Sequence, residues 1–315
     1  MSLKNSLKTS FLKFADVLPE NIGFGLYHAI QKRLTGTVNS KMNANKGTYS
    51  KAQQLLKSYG GVVNKNILEI GSGWMPIMPF FFNQHGGAKD VFTFDINEHY
   101  DNVYIDELSS IFKRDYKYNL EIDSSCKYHL PEFVKYFPNA NVIYSELPTN
   151  IDLIFSRFVL EHVTPNDIRA MHKKFFDEYD ENTLILHFIS PSDHRAYSDK
   201  SLSHYDFLKY SSSEWNRIQT KFDYHNRLRL PEYLELFDET GMEVLHLEYD
   251  SAEKGSEKYN KFKALNIHSD FASMSEKELT AGSINVLLRK KIICINRSIR
   301  LCCSETYEGY KCSWT

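Results

Sequence analysis

Along the chain the spacing of apolar positions changes character once. Over residues 1–45 it is helical: Leu7, Phe11, Phe14 and Ala15 make one stripe, and Tyr27, Ile30 and Leu34 make a second, which predicts amphipathic helices. Residues 50–60 predict another helix, with Ser50 as its N-cap and Gly60-Gly61 as its stop. From Asn66 onward, short apolar runs alternate with helical patterns. The runs are Ile67–Ile70, Val91–Phe94, Val142–Tyr144, Ile151–Phe155 and Leu184–Ile189, with 243–249 and 284–293 following late in the chain. Apolar strands separated by helices imply a parallel sheet covered on both faces. Three long polar segments break the alternation, at 100–140, 190–230 and 250–283. Insertions at the strand ends of such a sheet form lids and binding walls. No repeat or low-complexity linker intervenes. The expected organisation is a helical N-terminal extension (1–60), one α/β domain (61–293) carrying a substrate lid at 190–230, and a C-terminal tail (294–315).

Composition narrows the classes. With 315 residues, 42% hydrophobic and 25% charged, the chain is too apolar for a disordered tail and long enough for a large core. Its 38 basic and 40 acidic residues leave a net charge of −2, with no global pull toward nucleic acid. No apolar run reaches the roughly 18–20 residues of a membrane span. The lysine-bearing N-terminus lacks the apolar stretch and cleavage site of a signal peptide. The cysteines are Cys126, Cys294, Cys302, Cys303 and Cys312; their odd number and spacing read as free thiols in a cytoplasmic protein rather than a zinc site. Lys4, Lys8, Lys13, Lys32 and Arg33 beside Phe and Leu allow the N-terminal helices to touch a membrane surface, to lie over the active site, or to make a dimer contact.

The sharpest chemical signal is Asn66-Ile-Leu-Glu69-Ile-Gly71-Ser72-Gly73-Trp74-Met75-Pro76, an apolar strand running into a glycine turn. Glycine is required where backbone approaches a ligand closely or takes positive φ. Pro76 stands where a dinucleotide loop has its last glycine and Trp74 is bulky, so a shorter ligand without a pyrophosphate fits better. The next strand ends at Asp95, roughly two dozen residues beyond Gly71, where a carboxylate holds ribose hydroxyls in nucleoside-cofactor folds.

With Ile151-Asp-Leu-Ile-Phe-Ser156-Arg157-Phe-Val-Leu-Glu-His162-Val added, the chain resembles the class I S-adenosylmethionine-dependent methyltransferases from about Asn66 to about Ile293. The resemblance implies a Rossmann-like α/β fold with a seven-stranded sheet, its last strand antiparallel, and S-adenosyl-L-methionine as cofactor. It implies that Glu69, Gly71, Ser72 and Gly73 line the methionine moiety, that Asp95 holds the ribose, that Ile96 flanks the adenine, and that Ser156 and Arg157 lie under the cofactor. Residues 190–194, 206–210, 214–216 and 224–229 are similar to methyltransferases encoded among bacterial surface-polysaccharide assembly genes. That similarity implies a sugar or glycan acceptor.

A sugar hydroxyl is a weak nucleophile, so a general base is expected, and histidine is the natural one. His194, with Asp193 to orient it, and His162 on the helix after the fourth strand are the candidate catalytic groups; His187 reads as a core histidine. Tyr197, Tyr205, His225, Asn226 and Arg227 are candidate substrate contacts, since aromatic faces stack on sugars while amides and guanidinium groups hold hydroxyls. The same aromatics equally suit a secondary core under the lid. No compact acid cluster points to a metal. A different small metabolite, a lipid or a protein as acceptor, or a catalytically silent binding subunit, are the competing readings.

Overall fold

The computed structural model describes residues 11–19, 22–23, 37–118, 120, 122 and 125–292. Its sheet has seven strands: β1 (Ile67–Ile70), β2 (Val91–Phe94), β3 (Val134–Phe137), β4 (Leu153–Arg157), β5 (Leu184–Ile189), β6 (Met242–Tyr249) and β7 (Ile284–Lys290). They lie in the order β3-β2-β1-β4-β5-β7-β6. β1 to β5 are parallel, and β7 runs antiparallel to β5 and β6. This is the sheet the resemblance implied.

Alternation along the strands explains why both faces are covered. Ile67, Val91, Leu153, Phe155, Leu184 and Leu186 face one core, which α1 (Val38–Leu56), α2 (Ile77–Phe80) and α3 (Asn102–Tyr116) close. Leu68, Ile70, Ile154, Ile185 and Leu288 face the other, against α4 (Pro165–Glu178) and α5 (Leu230–Glu239). A strand buried on both sides is apolar except where a polar side chain finds a buried partner, and β5, buried throughout, carries only His187 as such an exception.

Two expected elements are corrected. Val142–Tyr144 forms a turn, and the third strand is Val134–Phe137. β3 is an edge strand, so it carries Lys135 and Tyr136 in place of an unbroken apolar run, while Val142 is apolar because it packs into the core from its turn. The helix placed at 50–60 begins at Val38, capped by Thr37 Oγ1 accepting from the Ser40 N–H at 3.3 Å. Ser50 is therefore interior. Asn, Ser and Gly47 lower the helical propensity of the first half, yet Val38, Met42, Tyr49, Ala52 and Leu56 still fall on one buried face. Gly60 ends the segment at φ +85°.

The two late insertions pack on each other. Tyr205, Phe207, Leu208 and Trp215 from the first share a core with Phe262, Phe271 and Leu279 from the second. Helical residues 11–17 lie against the first of them, Leu12 and Ala15 packing on Phe222. The expected stripes at Leu7, Tyr27, Ile30 and Leu34, the N-terminal lysines but Lys13, and the tail from 294 with its four cysteines lie outside the described residues; Cys126 is exposed and forms no disulfide. Among the described residues no helix is long and apolar enough to cross a membrane.

Candidate active site at the sheet's switch point

The chain builds β1, β2 and β3 in one direction and then returns to place β4 on the other side of β1. Ligands of open α/β sheets bind at the carboxyl ends of the strands flanking such a reversal. Register fixes what meets there: Ile70 stands beside Phe94 on one side and Ser156 on the other. Gly71, Asp95 and Arg157 consequently emerge along one edge.

Gly71 takes φ +79°, and a Cβ there would lie 2.4 Å from Val159 Cγ2. Its N–H donates to Phe94 O at 2.8 Å. Gly73 also has a left-handed φ, +60°, but a Cβ there would meet nothing within 4 Å, so this side of the loop is open. The Gly73 N–H donates to Asp95 Oδ2 at 3.2 Å, and Asn97 N–H donates to Oδ1 at 2.9 Å. His99 Nε2 lies 3.6 Å from Oδ1, its ring against Trp74 at 4.7 Å. Burial pushes the Asp95 carboxyl up to about 6, against the opposing pull of those two amides. Glu69 is buried facing α1–α3, with Thr93 Oγ1 donating to Oε2 at 2.6 Å and Ser72 Oγ 2.6 Å further along. Burial holds it up at about 8. Ile96 is 67% exposed just past Asp95.

On β4, Ser156 is fully buried and belongs to a chain of hydrogen bonds. His172 Nδ1 lies 2.7 Å from Ile168 O, which only accepts, so Nδ1 carries the proton. Its Nε2 then accepts from His187 Nε2–H at 3.0 Å, and His187 Nδ1 accepts from Ser156 Oγ–H at 2.7 Å. Burial pulls His172 down to about 4 and His187 well below its ordinary value. The reading of His187 as a core histidine fits this packing. Arg157 Nε donates to Thr48 Oγ1 at 2.9 Å, and its guanidinium lies 4.1 Å over the Phe158 ring. Burial lowers its pKa, while the Glu161 and Glu69 carboxylates oppose that.

Beyond β4 the expected helix is interrupted. His162 sits on a 3-10 turn, Leu160–His162, and α4 starts three residues later, where Thr164 caps it. The tight turn points Glu161 inward, fully buried, and leaves His162 exposed. Glu161 Oε1 accepts from Ser190 N–H at 3.3 Å, Oε2 has no hydrogen-bond partner, and burial pushes the carboxyl up to about 8. His162 Nδ1 lies 2.9 Å from Tyr224 O and so donates to it. The His194 ring centroid is 4.9 Å from that of His162 and 5.1 Å from that of His225. Tyr197, 51% exposed, lies 5.3 Å from His194. Sequence reasoning had left Glu161 without a role; its signal was an acid inside an otherwise apolar run, Phe158-Val-Leu-Glu161.

Four of the expected site residues have other work. Asp193 is bound to Arg195, whose Nη2 reaches Asp193 Oδ2 at 2.6 Å and Asp206 Oδ2 at 3.2 Å. It thus anchors the segment after β5. Tyr205 is fully buried and donates to Thr280 O at 2.9 Å. Asn226 Nδ2 donates to Leu160 O and Val163 O at 2.7 and 2.9 Å, tying residues 190–230 to the 3-10 turn. Arg227 is buried and donates to Phe207 O and Tyr210 O. These groups were polar and aromatic in sequence because a loop-rich insertion must satisfy its own carbonyls. Arg229, fully buried, does the same, donating to Pro191 O at 2.7 Å and Arg227 O at 3.0 Å.

No family model matches the sequence, and no curated protein does. Among solved structures the chain is similar to the magnesium protoporphyrin IX methyltransferase of Synechocystis PCC 6803 with bound SAH, with TM-score 0.47, 11% identity, 82% of this chain covered and 88% of that one. It is similar to an S-adenosylmethionine-dependent methyltransferase of Mesorhizobium loti, with TM-score 0.42, 13% identity and coverage of 75% and 96%. Mitomycin 7-O-methyltransferase matches at TM-score 0.40 and 11% identity, over 77% of this chain and 54% of that one.

Proposed function

We propose that the chain is a methyltransferase that moves a methyl group from S-adenosylmethionine to a hydroxyl, with a sugar or glycan intermediate as acceptor. The observation that carries the cofactor assignment is the arrangement at the switch point. Gly73 leaves open space where a side chain would stand, and Asp95, fixed by two backbone amides, lies beside it as an acceptor suited to a vicinal diol. Glu69, Gly71 and Ser72 would line the rest of the site, with Ile96 outside Asp95 and Ser156 and Arg157 beneath. When bound, the cofactor supplies an activated methyl group on a positively charged sulfur.

The chain's own task is to position the acceptor and take its proton. His162 and His194 suit the second task. The proton on His162 Nδ1 is committed to Tyr224 O, which leaves Nε2 as a base. Tyr197 stands beside His194 with an exposed ring that can stack on a sugar face. The sugar reading rests on that pairing and on the similarity of the lid segments to glycan-assembly methyltransferases.

Calorimetric titration with S-adenosylmethionine tests the cofactor. Binding in the micromolar range is expected, weakened at least tenfold in Asp95→Ala, as loss of a charge-assisted pair predicts. Absence of binding at high micromolar cofactor refutes the proposal. With a sugar acceptor, His194→Ala should keep cofactor affinity and lose turnover; unchanged turnover removes His194 from the reaction.

A further inference from the structure

Glu161, His162 and His194 each offer one ligand atom, and those atoms all lie within 4.8 Å of one another. We propose that this cluster is a binding site for a divalent transition-metal ion, held by one carboxylate and two imidazoles.

Three independent features favour this. The first is the buried Glu161, whose Oε2 has no partner although the residue is fully enclosed. A buried carboxylate oxygen without a donor is costly, and a cation supplies what the protein does not. The second is His162. Its Nδ1–H is held by Tyr224 O, which fixes the tautomer with the Nε2 lone pair free. Metal-bound histidines are oriented in this way, by a carbonyl on the other ring nitrogen. The third is His225, 4% exposed, with its ring 5.8 Å from His162 and 5.1 Å from His194, and its Nε2 also unpartnered. Its Nδ1 accepts from the Arg227 N–H at 3.3 Å, so Nε2 carries the proton and stands ready as a donor to a metal-bound water.

The donor set selects the ion class. Two nitrogens and one oxygen suit Zn²⁺, Mn²⁺, Fe²⁺ or Co²⁺ better than Ca²⁺ or Mg²⁺, which take oxygen. Ligand atoms around such an ion stand about 3–4 Å apart for bonds of roughly 2.0–2.2 Å, so a small inward rotation of the side chains closes the site. The ligands come from two segments that meet only in the fold, the turn after β4 and the loop after β5. Three protein ligands leave positions open for water or an acceptor hydroxyl, whose proton a bound cation makes easier to lose. An ion there would take over from His162 and His194 the activation of the acceptor. The site itself rests on the cluster alone and does not require the methyl-transfer reading.

The test uses the full chain and Co²⁺ alone, followed through its visible absorption, with displacement by Zn²⁺ as a second readout. Expected are one ion per chain at micromolar affinity or tighter and a rise in melting temperature that EDTA reverses. Glu161→Gln and His194→Ala should each weaken binding at least tenfold, while His246→Ala, at a histidine far along the sequence on β6, leaves it unchanged. His194 lies in a loop, so its truncation keeps the test valid if Glu161→Gln fails to fold. No binding at high micromolar Co²⁺, or equal binding by wild type and His194→Ala, overturns the proposal. S-adenosylmethionine titration of metal-free protein reports separately on the cofactor.

Discussion

Substituting Gly71 by alanine tests whether the loop at the carboxyl end of β1 is shaped by its neighbour or only by its own backbone. Two penalties add. Alanine at φ +79° sits in the left-handed region, worth about 1–2 kcal/mol. The new methyl also lands 2.4 Å from Val159 Cγ2, an overlap that must be relieved by local movement at about 1–3 kcal/mol. Gly71→Ala should therefore lose about 2–5 kcal/mol in all. Val159→Ala alone should cost about 1 kcal/mol, since the residue is half-buried. In the double variant the overlap vanishes while the backbone cost stays. The pair should thus be less destabilised than the two singles summed, by about 1–3 kcal/mol. Urea unfolding with linear extrapolation measures all four corners of the cycle. Additivity within about 0.5 kcal/mol would show that Val159 is not the obstacle and would refute the contact. Cofactor affinity in Gly71→Ala should fall with the displaced loop and return in part in the double variant.

Two further outcomes follow from buried groups. His172 is held neutral down to about 4, below the unfolded value of about 6.5. The unfolded chain therefore binds more protons than the folded one below about pH 6.5, and stability falls as the pH drops through that window. At pH 5 the loss relative to pH 8 is about 2 kcal/mol for this one residue. The stability gap between wild type and His172→Gln should narrow by that amount over the same range in urea titrations, and a pH-independent gap would contradict it. Arg229→Met leaves the Pro191 and Arg227 carbonyls without their donor, at about 2 kcal/mol. Limited proteolysis within 190–230 should then speed up roughly thirtyfold, the change in open population that this energy implies, with the sheet intact by circular dichroism; an unchanged rate would show that Arg229 does not pin this segment.

Much of the fold was legible where burial leaves no choice. β1, β2 and β5 matched their apolar runs residue for residue because both faces of each are covered. β3 was not legible, because an edge strand has one neighbour and its composition is freer. Gly71, Gly73 and Asp95 were readable in order and spacing because a strand-end loop is a local object. The lid was not. Tyr205, Asn226 and Arg227 carry side chains that suit a sugar and, equally, side chains that satisfy backbone carbonyls inside a loop-built core; only their partners distinguish the two. Glu161 was hidden for the opposite reason. Its neighbours are apolar, and its proximity to His194 depends on β4 and β5 lying side by side.

The aromatic core shared by the two late insertions has a consequence for how such a chain can change. Tyr205, Phe207 and Trp215 have no shelter of their own without Phe262, Phe271 and Leu279, which arrive some fifty residues later in the sequence. Neither segment is therefore a module that recombination can exchange alone. A chimera that imports one segment from a relative exposes half an interior and should aggregate. Change in this region must arise by point substitutions on the outer surface, at positions such as Tyr197, or by inheritance of both segments together.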